Sequence, residues 1–99
     1  MELFKTLDGN TLTIALTEKL DTTSAPALEE ELKTCLDSVE VLIFDFEKLS
    51  YLSSAGLRVL LSTQKVMSKK GKMIIRHVND VIMDIFDMTG FSTILTIED

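Results

Sequence analysis

The sequence predicts an α/β fold, a mixed β-sheet that is antiparallel at an N-terminal hairpin, largely parallel beyond it, and packed against α-helices in the order β-β-α-β-α-β-α-β. Three observations predict it. Apolar and polar residues alternate on both sides of Asp8-Gly9-Asn10, the signature of a hairpin with a Gly/Asn turn. Val41 to Phe46 (VLIFDF) is a nearly continuous apolar block, the pattern of a strand buried on both faces. Stretches with apolar residues at helical spacing then alternate with short strand-like runs, and such units favour parallel pairing with right-handed crossovers.

In the hairpin, Leu3, Lys5 and Leu7 alternate with Glu2, Phe4 and Thr6, and from Thr11 to Thr17 Leu12, Ile14 and Leu16 share one side. Glu18 to Ser24 breaks the alternation. Ala25, Leu28, Leu32, Cys35 and Leu36 then trace one helical stripe, so the first helix is expected from about Ser24 to Asp37, capped by Thr23 or Ser24, with Pro26 harmless in the first turn. The run Glu29-Glu30-Glu31 reads as a solvated face near the positive end of the helix dipole. After the Val41–Phe46 strand, Leu57, Leu60, Leu61 and Met67 fall at helical intervals, with Ser53 or Ser54 at the N-cap and Lys69-Lys70-Gly71 at the close. Lys72 to His77 is the next strand. Asn79 is expected to cap a helix through Val81, Ile82, Ile85, Phe86 and Met88, Gly90 to stop it in a left-handed conformation, and Thr93 to Ile97 to form the last strand.

With 99 residues and 45% hydrophobic side chains, one domain over residues 1–99 is expected. No signal-peptide pattern and no membrane-length apolar run occurs, so the chain reads as cytoplasmic and soluble, with no membrane partner. Its single cysteine, Cys35, has no internal partner for a disulfide. A net charge of −6 argues against non-specific binding to nucleic acid, which depends on neutralising phosphates. The cations Lys65, Lys69, Lys70, Lys72 and Arg76 are explained by a helix end complementing its dipole.

Catalytic chemistry finds little support, and no enzyme activity, cofactor or metal site is expected. His77 is the only histidine and has no second ligand at metal-binding spacing, so it reads as a partly exposed structural residue. Cys35 lies on an apolar stripe, and four of the five methionines, Met67, Met73, Met83 and Met88, read as core fillers. Phosphate-loop and nucleophile-elbow motifs are absent. Asp21 and Asp45 make only a weak carboxylate pair, because nothing in the sequence fixes their separation. What remains is the stretch Leu49 to Arg58, LSYLSSAGLR, where an apolar run stops and a helix begins with two hydroxyls. Free N–H groups and a helix dipole favour an oxygen or phosphate there, although a lone serine at a helix start is more often simply a cap.

Context changes that balance. LSYLSSAGL, preceded by LIFDF and followed by IIRHVNDVIMDIFDMTGF, resembles the STAS-domain family, specifically the bacterial anti-sigma factor antagonists, and Leu20-Asp21-Thr22-Thr23-Ser24-Ala25-Pro26 is similar to that family's loop before the first helix. Aligning Gly56-Leu57 with the family's Gly-Leu places its phosphorylatable serine on Ser54, with Ser53 as second choice. Ser53 stands where several relatives carry aspartate, and Ala55 where they carry a second hydroxyl. Many relatives continue into a further helix after the last strand, and contacts from such a helix are not expected here.

The resemblance implies a partner-switching protein. Unphosphorylated, it would bind an anti-sigma factor that is also a GHKL-type serine protein kinase, releasing a sigma factor. Phosphorylation of Ser54 would end the binding, and a PP2C-type phosphatase would restore it. The implied partner face comprises Asp21, Thr22, Thr23 and Ser24 together with Ser53, Ser54, Ala55, Gly56 and Arg58. A non-phosphorylated STAS scaffold, or an accessory subunit of a transporter, is the alternative. An enzyme built on the helix-start hydroxyl has the least support, because no base accompanies it.

Overall fold

The computed structural model describes residues 1–98. Its elements are β1 (Leu3–Asp8), β2 (Thr11–Leu20), α1 (Ala25–Cys35), β3 (Val41–Leu52), α2 (Ser54–Met67), β4 (Lys72–Arg76), α3 (Asp80–Thr89), a 3-10 turn (Phe91–Thr93) and β5 (Thr96–Glu98). One five-stranded sheet has the order β1-β2-β3-β4-β5. The β1–β2 hairpin is antiparallel and the other pairings are parallel, as the sequence predicts.

Alternation along the strands separates two faces. Leu12, Ile14, Leu42, Phe44, Met73 and Ile75 point to the helices and join Leu28 and Leu32 of α1, Leu57 and Leu60 of α2, and Ile82 and Phe86 of α3 in one core. The opposite face carries Phe4, Ala15, Asp45 and Arg76 in one register row and Thr13, Ile43 and Ile74 in the next. Ile43 and Ile74 are buried yet stand outside that core. The apolar run Val41–Phe46 therefore arises because helices cover one side of β3 while its neighbours β2 and β4 shelter the other.

Three boundaries differ from expectation by three residues or more. β2 continues to Leu20 rather than ending at Thr17, and β3 continues to Leu52 rather than Phe46. Both errors have one cause: the β2–β3 register slips twice, between Ala15 and Thr17 and between Glu18 and Lys19. At each slip β3 carries an extra residue, which rotates the following side chains and destroys the period of two. Glu18 takes a positive φ of 64° at the second slip, and the Ser50 hydroxyl donates to the Glu18 carbonyl there (2.8 Å). Leu49–Leu52 is thus strand, and only Ser53 separates it from α2.

The third difference is β5, expected from Thr93 but starting at Thr96. The Thr93 N–H donates to the Gly90 carbonyl, and the Ile94 and Leu95 N–H groups donate to the Phe91 carbonyl. Donors spent in that turn cannot pair with β4. Upstream, Gly90 ends α3 at φ 81°, and the Asn79 side chain accepts from the Ile82 N–H (2.9 Å), as expected of both. α1 and α2 end at Cys35 and Met67, one turn or less inside the expected limits.

Candidate functional site

The α2 start is docked on the end of β2. The Ser53 N–H donates to the Leu20 carbonyl (2.9 Å). A Cβ at Gly56 would lie 2.6 Å from Leu52 Cδ1 and 2.9 Å from both Leu20 Cγ and the Leu20 carbonyl oxygen. Glycine is required there by close approach, because the backbone oxygen cannot give way. The first turn of α2 is consequently fixed against the residue that precedes Asp21, so the Asp21–Ser24 loop and the Ser53–Arg58 segment share one end of the molecule.

The loop is held by Asp21. Its Oδ1 accepts from the Thr23 hydroxyl (2.7 Å), the Thr23 N–H (3.0 Å) and the Ser24 N–H (3.2 Å). The Asp21 N–H donates to Ser24 Oγ, whose own proton reaches the Lys19 carbonyl, both at 2.9 Å. The bond from the Thr23 hydroxyl, reinforced by these N–H groups, holds the Asp21 carboxyl below the ordinary aspartate range against a weaker opposing effect of burial. Ser24 is the α1 N-cap by position, but its hydroxyl is spent inside this turn and makes no cap bond to the helix. Thr22 and Thr23 are exposed.

At the α2 start the structure decides between the two serines that the sequence left open for the N-cap. The N-cap is Ser53, with extended φ and ψ of −94° and 176°, and Ser54 is the first helical residue. The Ser53 hydroxyl does not cap the helix: its Oγ is buried without a hydrogen-bond partner. Ser54 is exposed, Ala55 is half-buried against the core, Gly56 is buried and Arg58 is exposed. One serine is hidden and the other displayed.

Sequence reasoning missed Glu18, Lys19 and Ser50. With Met1, Asp21, Thr23 and Ser24 they line an open hollow of about 450 Å³ beside the loop. Their signal was the broken alternation at Glu18-Lys19, which marks the bulge that turns these side chains outward.

Asp21 and Asp45 are not a pair. Asp45 stands opposite Ala15 while Leu20 stands opposite Leu52, a separation along β2 of roughly 16 Å at the usual rise per residue. Asp45 instead meets His77, whose Nδ1 lies 2.8 Å from Asp45 Oδ1 and 3.9 Å from Glu47 Oε2. Strand register, rather than sequence spacing, brings these three side chains together. The Asp45 hydrogen bond raises the pKa of the half-exposed His77. Partial burial pushes the Asp45 carboxyl upward, but the bonds from His77 and the Glu47 N–H together outweigh it and hold the carboxyl below its ordinary value. Cys35 is half-buried against the core, and burial pushes its thiol up. Met67 and Met73 are buried as expected, Met83 is half-buried, and Met88 is 85% exposed and no core filler. No described helix is long and apolar enough to cross a membrane.

The STAS domain family model matches residues 4–99. The chain belongs to the STAS domain family. It is similar to the anti-sigma-B factor antagonist of Bacillus subtilis, with 28% identity over 89 residues that cover 89% of this chain and 82% of that protein. Its fold is that of the anti-sigma factor antagonist SpoIIAA in its unphosphorylated form, with a TM-score of 0.85 at 19% identity over 99% of this chain and 89% of the other. Bacillus SpoIIAA in its phosphorylated form superposes with a TM-score of 0.77, also at 19% identity, covering 99% and 92%. This STAS domain therefore shares its architecture with a protein whose structure exists in both phosphorylation states.

Proposed function

We propose that this STAS domain is an anti-sigma factor antagonist that binds an anti-sigma factor with serine kinase activity while Ser54 carries a free hydroxyl. Phosphorylation of Ser54 ends the binding, and a phosphatase of the PP2C type resets it. The observation that supports this most directly is the contrast between the exposed Ser54 and the buried Ser53 hydroxyl, since a kinase needs a reachable acceptor. The kinase and phosphatase classes rest on the family resemblance.

The chemistry of such a switch fits the site. A phosphate on Ser54 adds about −1.5 to −2 charges to a chain already at −6. It would stand beside the free N–H groups of the α2 start, where the helix dipole tolerates an anion, so the modified domain stays folded. A partner fitted to a small hydroxyl must then accept a bulky dianion, at a cost in sterics, desolvation and repulsion. Near-complete switching needs a difference of about 5.5 kcal/mol, within the combined reach of those effects.

Incubation with an anti-sigma factor kinase and ATP, followed by mass spectrometry of the peptide holding Ser53 and Ser54, tests the reading. One phosphate on Ser54 and none in Ser54→Ala is expected, with the Ser54→Ala variant still bound to the kinase. Phosphate on Ser53, or retained in Ser54→Ala, overturns the assignment.

A further inference from the structure

Away from the serines, β3 and the segment after β4 build a second cluster. Asp45 and Glu47 come from β3, and His77 follows directly after Arg76, the last residue of β4, at a φ of 60°. Their donor atoms all lie within 4.8 Å of one another. The first register slip of β3 falls between Asp45 and Lys48, which places Glu47 beside Asp45, and the Glu47 N–H donates to Asp45 Oδ1 (3.0 Å). Arg76, opposite Asp45 in the sheet, extends its guanidinium to Glu98 (3.6 Å), leaving His77 as the nearest basic group to the Asp45 carboxylate.

We propose that Asp45, Glu47 and His77 form a binding site for a first-row divalent transition ion of the zinc class. One imidazole nitrogen with two carboxylate oxygens is a donor set of borderline softness, suited to zinc rather than to calcium or magnesium, which take oxygens alone. Donors around a tetrahedral ion at such bond lengths stand about 3.3 to 3.6 Å apart, and the observed 2.8 and 3.9 Å separations from Nδ1 bracket that range. Metal binding would exchange the Nδ1–Oδ1 hydrogen bond for two metal bonds. His77 and Glu47 are 48% and 69% exposed, so an ion has a path in. Asp45 and Glu47 also border a hollow of about 270 Å³ with Phe4, Thr17 and Lys48, room enough on the carboxylate side for water to serve as a further ligand.

The test uses the full, untagged chain with zinc ions alone in a non-coordinating buffer at neutral pH. Because His77 is the only histidine, its imidazole nitrogens give one unambiguous set of NMR signals. Saturable binding of one ion, read by calorimetry, with the perturbation centred on Nδ1 is expected. His77→Asn, which tolerates the left-handed backbone, and Glu47→Gln on the surface should each weaken binding by at least about tenfold, a loss that even outer-shell substitutions can reach. Should His77→Asn fail to fold, Glu47→Gln alone decides. Unmoved imidazole signals, coordination through Nε2, or wild-type affinity in Glu47→Gln overturns the site.

Discussion

Each helix follows a strand, and the N-termini of α2 and α3 are built to different ends. At α3 the Asn79 side chain accepts from the Ile82 N–H and donates to the Leu49 carbonyl, both at 2.9 Å, tying the helix start to β3. At α2 the capping position holds Ser53, whose hydroxyl is buried and bonds to nothing. Local polar chemistry anchors α3. Close packing of Gly56 on Leu20 and Leu52 anchors α2, and leaves its first N–H groups and the Ser54 hydroxyl free of side-chain duty. A helix start held from beneath can change its charge without losing its footing.

The largest effect should come from removing that footing. Gly56→Ala forces a methyl group onto the Leu20 carbonyl oxygen, and a loss of about 1–3 kcal/mol, the cost of overpacking, is expected in urea denaturation. Asn79→Ala should cost about 1–2 kcal/mol, since it deletes a cap and strands the Leu49 carbonyl. Ser53→Ala should cost almost nothing, within about 0.5 kcal/mol, because the hydroxyl it removes is an unpaired buried group. Equal losses in Ser53→Ala and Asn79→Ala would break the contrast between the two starts. Ser54→Asp should leave the melting temperature near wild type while weakening partner binding, and a grossly destabilised variant would mark Ser54 as structural.

The smallest expected effect is on pH dependence. The hydrogen bond to Asp45 raises the pKa of His77 above the ordinary histidine value. A raised folded-state pKa means that its protonated form is favoured by folding. That contribution is fully present below the unfolded value and is lost as pH rises through the folded one. The melting temperature should therefore decline slightly on passing from pH 6 toward the alkaline side of neutrality. His77→Asn should flatten that decline, and an unchanged slope would show that the Asp45 contact carries no linkage.

Much of this architecture is legible in the residues themselves. Asp8-Gly9-Asn10, the Val41–Phe46 run, Asn79 and Gly90 each act through local physics that sequence displays: turn geometry, burial, capping and positive φ. The bulged half of the β2–β3 pair is not legible as strand, because an extra residue erases the alternation that identifies one, and the break at Glu18-Lys19 reads as the start of a loop. The loop before α1 and the serine pair can be singled out from sequence, but which serine is displayed depends on where β3 ends. The Asp45–His77 contact escapes for another reason. It depends on which strands are neighbours and in what register, a relation between residues 32 positions apart.

The strand order β1-β2-β3-β4-β5 coincides with the order of synthesis. Each new strand is added at the free edge left by the previous one, and no completed pairing has to open to admit a later strand. A chain emerging from a ribosome N-terminus first can lay down this sheet like courses of brick. The β1–β2 hairpin, whose partners are nearest in sequence, is the first course.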